Sequence, residues 1–292
     1  MTLVELLAFG LIRAKVTLAG ACLVVISARP TARRLFGAEA TYRLWTLVPI
    51  AGVASVFPSL NSFPAAGEGP PDILGLQSWS DAFYAHQFAP VILLLWASGA
   101  LAFVVWVVCC EALFRRQARR GRVGPAVVGI LWPRVYVPAE FEAQFTPDER
   151  RLIWTHERAH IERGDPKTNL LIAAMRAFGW FNPLAHIAAA YVRLDQEVAC
   201  DALVVQWRPQ LRRRYAEALL KAQLAAVHAP IACSWAATSG RHPLETRIRM
   251  LGRPDRGDRW CELGIFFGCG LAFVVTVLVL VVAPHAPLLA KS

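Results

Sequence analysis

The chain has 292 residues, of which 56% are hydrophobic and 18% charged, and its formal net charge is +10. A charged fraction below the usual quarter, with the apolar residues gathered in a few long runs, argues against a purely soluble protein. The basic residues flank those runs instead of forming one basic face, so we expect no direct binding of nucleic acid.

Four apolar runs are candidates for membrane-spanning helices. A run of about 18 or more apolar residues indicates a span, because a helix pairs internally the backbone amides that lipid cannot satisfy. We predict spans at about residues 3–28, 44–60 and 90–111, and a fourth within residues 261–292. The first run contains Arg13 and Lys15, which we expect to snorkel or to face the other helices.

The distribution of basic residues predicts how these spans are oriented in the lipid bilayer. Arginines cluster between the first and second runs and again over residues 115–122, whereas residues 59–88 contain carboxylates but no lysine or arginine. This alternation is the positive-inside pattern. It predicts a multi-pass protein with both termini outside and residues 113–260 in the cytoplasm. The seven cysteines form no C-x-x-C pair, and disulfides are not expected in a reducing compartment.

Within the predicted cytoplasmic segment, the pattern indicates a small hairpin followed by helices. Two β-rich stretches within residues 127–138 are separated by Trp-Pro-Arg, which is typical of a hairpin or a pair of edge strands. Thr146, Pro147 and Glu149 predict a capped helix start, and the Gly-Asp-Pro at 164–166 predicts its end. Further helices are predicted from near Lys167 to about Gly179, from Pro183 to about Trp207, from Leu211 to Val227, and from Pro243 to Leu251.

The first of these helices carries an H-E-x-x-H motif at residues 156–160. His156 and His160 lie four residues apart, so both imidazoles share one helix face and can reach a single ion. Glu157 lies beside the position that a water would take, and it could accept the proton of a water that attacks a carbonyl. The motif alone is only moderately specific, and it needs a third ligand.

Glu197 is the candidate third ligand, with Asp201 four residues later on the same predicted helix. Their neighbours are apolar, and two carboxylates on a buried helix require compensation that a dication supplies. We expect Asp201 to accept a hydrogen bond from a ligand histidine. The alternative is a solvated acidic helix face. Cys200 is a weaker ligand candidate, because a hydrolytic site keeps its fourth position open.

These segments together resemble the M56 family of membrane metallopeptidases, of the BlaR/MecR type. The resemblance rests on residues 129–138, 155–165, 180–183 and 197–202 and on their order along the chain. It implies a gluzincin of the bacterial inner membrane, with Zn²⁺ held by His156, His160 and Glu197 and with Glu157 as the base. In sensor members of the family, an external signal activates the cytoplasmic peptidase, which cleaves itself and removes a transcriptional repressor.

Two features depart from this family pattern. Sensor members continue after the fourth span into a large extracellular domain, whereas this sequence stops at Ser292, so we expect a peptidase without an attached sensor domain. Arg158 places a charge inside the motif, and we expect it to pair with Glu162 on the exposed side. Residues 241–248 also resemble a segment of related membrane gluzincins. That resemblance implies that His242 or Arg247 stabilises the oxyanion, the alternative being a helix entry with a basic surface.

The sequence therefore predicts a mainly α membrane protein with four transmembrane helices and a cytoplasmic gluzincin-like domain that carries a small β hairpin. Its parts are a membrane region over residues 1–112, the zinc peptidase domain over 113–260, and a fourth span with a short outside tail over 261–292. The expected function is a signalling metalloendopeptidase that cleaves a cytoplasmic protein, such as a helix-turn-helix repressor, and also itself. Alternatives are an M48-like processing or quality-control peptidase and a non-catalytic, zinc-stabilised partner protein. Association into a homodimer is left open.

Overall fold

The computed structural model describes residues 3–55, 88–225 and 243–253, together with residues 260, 262–264, 266–268, 270, 271 and 274. The N-terminal part contains helices α1 (Leu3–Leu35), α2 (Ala38–Arg43), α3 (Leu47–Ala54) and α4 (Ala89–Arg119), with a 3₁₀ turn at Leu44–Thr46. Strands β1 (Ala126–Val128) and β2 (Arg134–Tyr136) and the short helix α5 (Phe141–Gln144) follow. The remaining helices are α6 (Pro147–Arg163), α7 (Asp165–Phe178), α8 (Pro183–Trp207), α9 (Arg212–Ala225) and α10 (Pro243–Leu251), with a 3₁₀ turn at Pro209–Leu211.

Two of the described helices are long and apolar enough to cross a bilayer, over Gly10–Leu35 in α1 and Ala89–Arg119 in α4. They contain most of the first predicted span and the third, and both continue to an arginine-rich end. The most apolar part of α4 contains no buried residue, as expected for a helix surrounded by lipid. The second predicted span is described only as far as Ser55 and most of the fourth lies outside the described residues, so the four-span arrangement stays a prediction.

The described part of the second run lies in the largest hydrophobic core. Leu44, Trp45, Leu47 and Val48 are buried there against α1 and α8. The two basic residues inside the first apolar run face protein, as expected. Lys15 donates to the carbonyl of Phe178 and lies over three aromatic rings, and Arg13 donates to the carbonyl of Ser55.

Helix α4 joins the rest of the protein through a close approach at Gly99. A Cβ atom at this position would lie 2.3 Å from the indole of Trp180, so only glycine allows the contact. Trp180 donates to the carbonyl of Trp96 at 3.2 Å, and Trp96 donates to the carbonyl of Phe178 at 2.9 Å. The Trp-Phe-Asn-Pro segment therefore attaches α4 to the turn between α7 and α8.

The structure confirms the hairpin and the helix caps that were predicted between residues 127 and 164. The two strands form an antiparallel hairpin in which Val127 faces Val135. The Thr146 side chain and the Glu149 side chain cap α6 reciprocally, and α6 ends at Gly164 in the left-handed conformation, φ 74°. Helix α7 begins at Asp165 and not near Lys167, because proline suits the first turn of a helix and Pro166 therefore starts α7 immediately.

A second hydrophobic core brings together the helices that carry the candidate site. Leu152 of α6, Val204 of α8, Tyr215 of α9 and Leu251 of α10 are all buried within it. The core holds α8 and α10 against α6, and it thereby positions side chains that are far apart in the sequence around the H-E-x-x-H motif.

Candidate metal centre

Three side chains from α6 and α8 converge on one point. The Nε2 atoms of His156 and His160 are 3.1 Å apart, and they lie 3.3 and 3.5 Å from the two carboxylate oxygens of Glu197. An ion bound tetrahedrally at about 2.0–2.1 Å holds its ligand atoms roughly 3.3–3.4 Å apart. The observed separations therefore fit a tetrahedral ion with one position left over, and the predicted set of ligands is brought together.

A chain of hydrogen bonds orients His156. Tyr215 donates to Asp201 at 2.5 Å, and its oxygen lies 2.8 Å from His156 Nδ1. Burial, together with the charge of Asp201, raises the pKa of Tyr215 well above its ordinary value, so the phenol keeps its proton. That proton is directed at Asp201, so Nδ1 of His156 donates to Tyr215 and leaves Nε2 free for a metal.

Asp201 contacts His156 through the hydroxyl of Tyr215, and this geometry differs from the expected one. We expected a direct hydrogen bond from a ligand histidine, but His156 Nδ1 lies 3.4 Å from Asp201, and Tyr215 stands between them as the donor. Asp201 is 1% exposed, so it is not part of a solvated acidic face. The physical reason is that α9 inserts the Tyr215 hydroxyl at a distance from both groups that allows better hydrogen bonds than the direct pair.

His160 is oriented by Asp165, which the sequence pattern marked as part of a helix stop and of the family resemblance but not as a site residue. Asp165 accepts a hydrogen bond from His160 Nδ1 at 2.6 Å, because an ionised carboxylate can only accept. Burial alone would raise the pKa of Asp165, but His160 and Arg163 outweigh it and lower the pKa. Asp165 also accepts from the hydroxyl of Tyr42 at 3.2 Å. The N-terminal helix α2 therefore contributes to the surroundings of the metal centre.

A second contact from the N-terminal part is made two residues before Glu197. Asp195, 1% exposed, accepts from Arg29 at 2.5 and 2.8 Å, from Trp45 at 2.8 Å and from Arg33. A buried carboxylate needs such partners, because removing its charge from water is costly unless it is paired. Asp195 thus fixes helix α8 to the end of α1.

Arg247, one of the two candidates for oxyanion stabilisation, lies at the centre. Its guanidinium forms two 2.7 Å hydrogen bonds with Asp201, and Nη1 lies 2.9 Å from a Glu197 oxygen. Burial alone would raise the pKa of Glu197, but Arg247 and the two histidines outweigh it and lower the pKa below its ordinary value. Glu197 is therefore held ionised, with its carboxylate oxygens directed at the two histidines. His242 lies outside the described residues.

Glu157 is buried, at 7% exposure, beside the two histidines on α6. Burial raises its pKa, and Glu197 adds to this, while His156, His160 and Arg247 oppose the shift. A raised pKa makes a carboxylate a better proton acceptor at neutral pH. By contrast, Arg158 forms its expected ion pair with Glu162 at 2.7 Å on the exposed face, away from this chemistry.

Cys200 lies on the wrong side of the imidazole to serve as a fourth ligand of the same ion. Its sulfur is 3.2 Å from His160 Nδ1, whereas the convergent ligand atom is Nε2. The thiol donates to Asp165 at 3.3 Å, and burial raises its pKa. His160, Asp165 and Cys200 also lie close enough to form a second metal-binding set, but in this arrangement they satisfy one another as donors and acceptors.

Comparison with known proteins places these residues in a known family. Residues 122–251 match the family described as BlaR1 peptidase M56, a range that includes all the candidate site residues and ends with α10. The chain is also similar to the regulatory protein BlaR1 of Bacillus licheniformis, with 28% identity over 98 residues, covering 33% of this chain and 16% of that protein. This similarity and the two apolar helices indicate a membrane protein. Over residues 122–251, the chain therefore matches the M56 peptidase family.

Proposed function

We propose that the chain is a membrane-bound zinc metalloendopeptidase that acts in signal transduction by cleaving a cytoplasmic protein. One observation carries the proposal: His156, His160 and Glu197 converge at tetrahedral spacing while buried partners fix the orientation of each. Two imidazoles, one carboxylate and an open position form the ligand set of hydrolytic zinc sites. A purely structural zinc site would close the fourth position, and none of the residues that the structure describes adds a fourth ligand to the three, which argues against the non-catalytic alternative.

Each residue has a defined role in this chemistry. Zinc, when bound, lowers the pKa of water to about 7 and polarises a substrate carbonyl. Glu157 accepts the proton of the attacking water and returns it to the leaving amine. Arg247 holds Glu197 and Asp201, and its Nη2 lies 3.5 Å from His156 Nε2, so its positive charge stands beside the point where negative charge develops.

The hairpin provides a surface for an extended substrate. β1 and β2 pair only with each other among the described residues, so their outer edges can add a further strand. The turn between them exposes Leu131 and Trp132, at 72% and 80%.

The same proposal includes the location and the substrate class. The peptidase domain of residues 113–260 lies in the cytoplasm of a bacterial inner-membrane protein with both termini outside, and its substrates are a helix-turn-helix repressor and the chain itself. The M48-like alternative shares H-E-x-x-H and a downstream E-x-x-x-D. The match of residues 122–251 to the M56 family favours the signalling function.

The substrate can be identified by comparing the soluble proteome of a wild-type strain with that of a Glu157→Gln strain under conditions that activate the peptidase. We expect a DNA-binding repressor to accumulate as the intact protein in the variant strain, because the variant peptidase still binds its substrate but no longer hydrolyses it. Accumulation of membrane-protein fragments with an unchanged transcriptome would favour the processing alternative. Identical proteomes would contradict the proposed function.

Replacing Asp165 by Asn is expected to weaken zinc binding by about 10- to 100-fold, the usual effect of losing the partner of a ligand histidine. The amide cannot hold His160 in the same tautomer with a charged acceptor. A competition titration with a chelator of known affinity measures the loss. The matched control is Asp148→Asn, since Asp148 is an exposed acid on α6, with 62% of its side chain accessible. Equal affinities of the two variants would contradict the assigned role.

Zinc affinity is also expected to depend on pH. Burial opposes protonation of His160, but Glu197, Asp165 and Glu157 outweigh it and raise the pKa of the imidazole to about 9. Zinc requires the neutral imidazole, so binding at lower pH displaces a proton. The apparent affinity should rise about tenfold per pH unit towards pH 9 and level off above it. Chelator titrations across this range that show no rise would contradict the prediction.

A further inference from the structure

A concave pocket of about 490 Å³ lies between the end of α1, the middle of α8 and helix α10. Its walls combine arginines with a few apolar side chains. The arginines are Arg29, Arg33, Arg34, Arg249 and Arg253. The neighbouring apolar side chains include Tyr191, Leu194 and Met250. The pocket is separate from the metal centre, and none of the proposed ligands lines it.

Positive charge in this pocket exceeds the negative charge that faces it. Asp195 pairs with Arg29 and Arg33, and Glu245 pairs with Arg249 at 2.5 Å. Within the part of the chain that the structure describes, neither Arg34 nor Arg253 forms an ion pair. Counted over the described residues alone, five guanidinium groups meet two carboxylates, and an anion would restore the balance.

Two of the pocket arginines of α1, Arg29 and Arg33, are held in place by Asp195. Arg29 is buried, and its guanidinium donates two hydrogen bonds to the carboxylate of Asp195. The same guanidinium lies 4.1 Å from the centre of the Tyr191 ring. Nε of Arg33 is buried and has no hydrogen-bond partner among the described residues. A buried donor without a partner is costly, and a phosphate oxygen is the acceptor that guanidinium groups bind most strongly.

The position of the pocket indicates where such a phosphate comes from. It lies at the arginine-rich end of the apolar span Gly10–Leu35. Leu23, an exposed apolar residue of α1, precedes Arg34 by eleven residues, which is about three helical turns, so the two side chains share one face about 16.5 Å apart along the helix axis. A molecule with an anionic head and an apolar tail would therefore contact the arginines and the apolar face of α1 together.

We propose that this pocket binds a phosphate group, and that its source is the headgroup of an anionic phospholipid. The ligand bridges α1 to α10 and so complements the contact that Asp195 makes between α1 and α8. Thr246, a pocket residue, is next to Arg247 on α10. Occupancy of the pocket therefore also stabilises α10, the helix whose Arg247 pairs with Glu197. The binding site itself does not depend on the proposed peptidase function.

The test uses the full chain, purified in detergent and offered phosphatidylglycerol or phosphatidylcholine. Native mass spectrometry measures the lipid retained, and the melting temperature reports stabilisation. We expect phosphatidylglycerol to be retained and phosphatidylcholine not. The double variant Arg34→Gln/Arg253→Gln should bind phosphatidylglycerol at least about tenfold more weakly, because each lost charge-assisted hydrogen bond is worth about a factor of ten or more.

The matched control is the double variant Arg116→Gln/Arg119→Gln, which removes the same charge from the basic end of α4. Equal retention by the two double variants would overturn the proposal, since binding would then follow net charge alone. Retention of phosphatidylglycerol that free inorganic phosphate does not displace supports the lipid as the source. Saturable binding of inorganic phosphate with no lipid retained would support the anion site and overturn the lipid as its source. An unchanged far-UV circular dichroism spectrum of the Arg34→Gln/Arg253→Gln variant checks that its fold is intact.

Discussion

Replacement of Glu157 by Gln is expected to lower kcat by about 10²- to 10⁴-fold while zinc stays bound at one ion per chain. The amide keeps the size of the carboxylate but cannot accept the proton of the attacking water. None of the three convergent ligand atoms changes, so the affinity for zinc should remain close to that of the wild type. Cleavage of the identified substrate and zinc content measured on the same preparation separate these two effects.

The control for this prediction is Glu162→Gln, which makes the same change on the same helix. Glu162 lies on the exposed side, with 44% of its side chain accessible, paired with Arg158. It should retain wild-type activity. If Glu157→Gln cleaved the substrate as fast as Glu162→Gln, the hydrolytic mechanism would have to be abandoned, whereas loss of zinc from Glu157→Gln would show that this residue supports the metal and not the proton transfer.

Replacement of Glu197 by Gln is expected to remove zinc and activity together. Loss of a partner of a ligand costs about 10- to 100-fold in metal affinity, so loss of the charged ligand itself should exceed this range. The change also leaves Arg247 paired with Asp201 alone, which adds an uncompensated charge beside the ion. Metal analysis after gel filtration and chelator competition measure the effect.

Glu217→Gln is the matched control for this second variant, because Glu217 is a largely exposed glutamate, paired with Arg213 on α9. It should bind zinc as the wild type does. A Glu197→Gln protein that kept one zinc with unchanged affinity would show that the third ligand lies elsewhere. The two glutamate variants also distinguish the roles of the site: Glu157→Gln should lose catalysis only, and Glu197→Gln should lose the metal as well.

Features of the fold that depend on neighbouring residues could be predicted from the sequence. The hairpin is specified within residues 126–136, and the capping of α6 by Thr146 and Glu149 and its end at Gly164 depend on a few neighbouring positions; the structure confirms all three. The spacing of His156 and His160 is likewise a local feature, because four residues are about one helical turn and place both side chains on the same face. The start of α7 was misplaced by two residues, because Pro166 can serve both as a stop for one helix and as the first turn of the next.

The partners of the candidate ligands had no comparable signal. Tyr215 lies 59 residues from His156, and Tyr42 lies 123 residues from Asp165. A tyrosine on an amphipathic helix is equally suited to a hydrophobic core. Its local sequence therefore does not distinguish a tyrosine that donates a hydrogen bond to the site from one that only packs in the core. Asp165 had a partial signal, since it follows His160 by five residues, but the left-handed turn at Gly164 was needed to bring it back to the ring.

The sequence by itself therefore determined the apolar helices, the H-E-x-x-H motif and the carboxylate helix that could complete it, because each is encoded in the spacing of residues along one element. The tertiary structure alone decided that Arg247 binds both Glu197 and Asp201, that Tyr215 stands between His156 and Asp201, and that the arginines of α1 and α10 share one pocket. These contacts join elements far apart in the chain. Their geometry follows from how the hydrophobic cores pack the helices together, which no local pattern records.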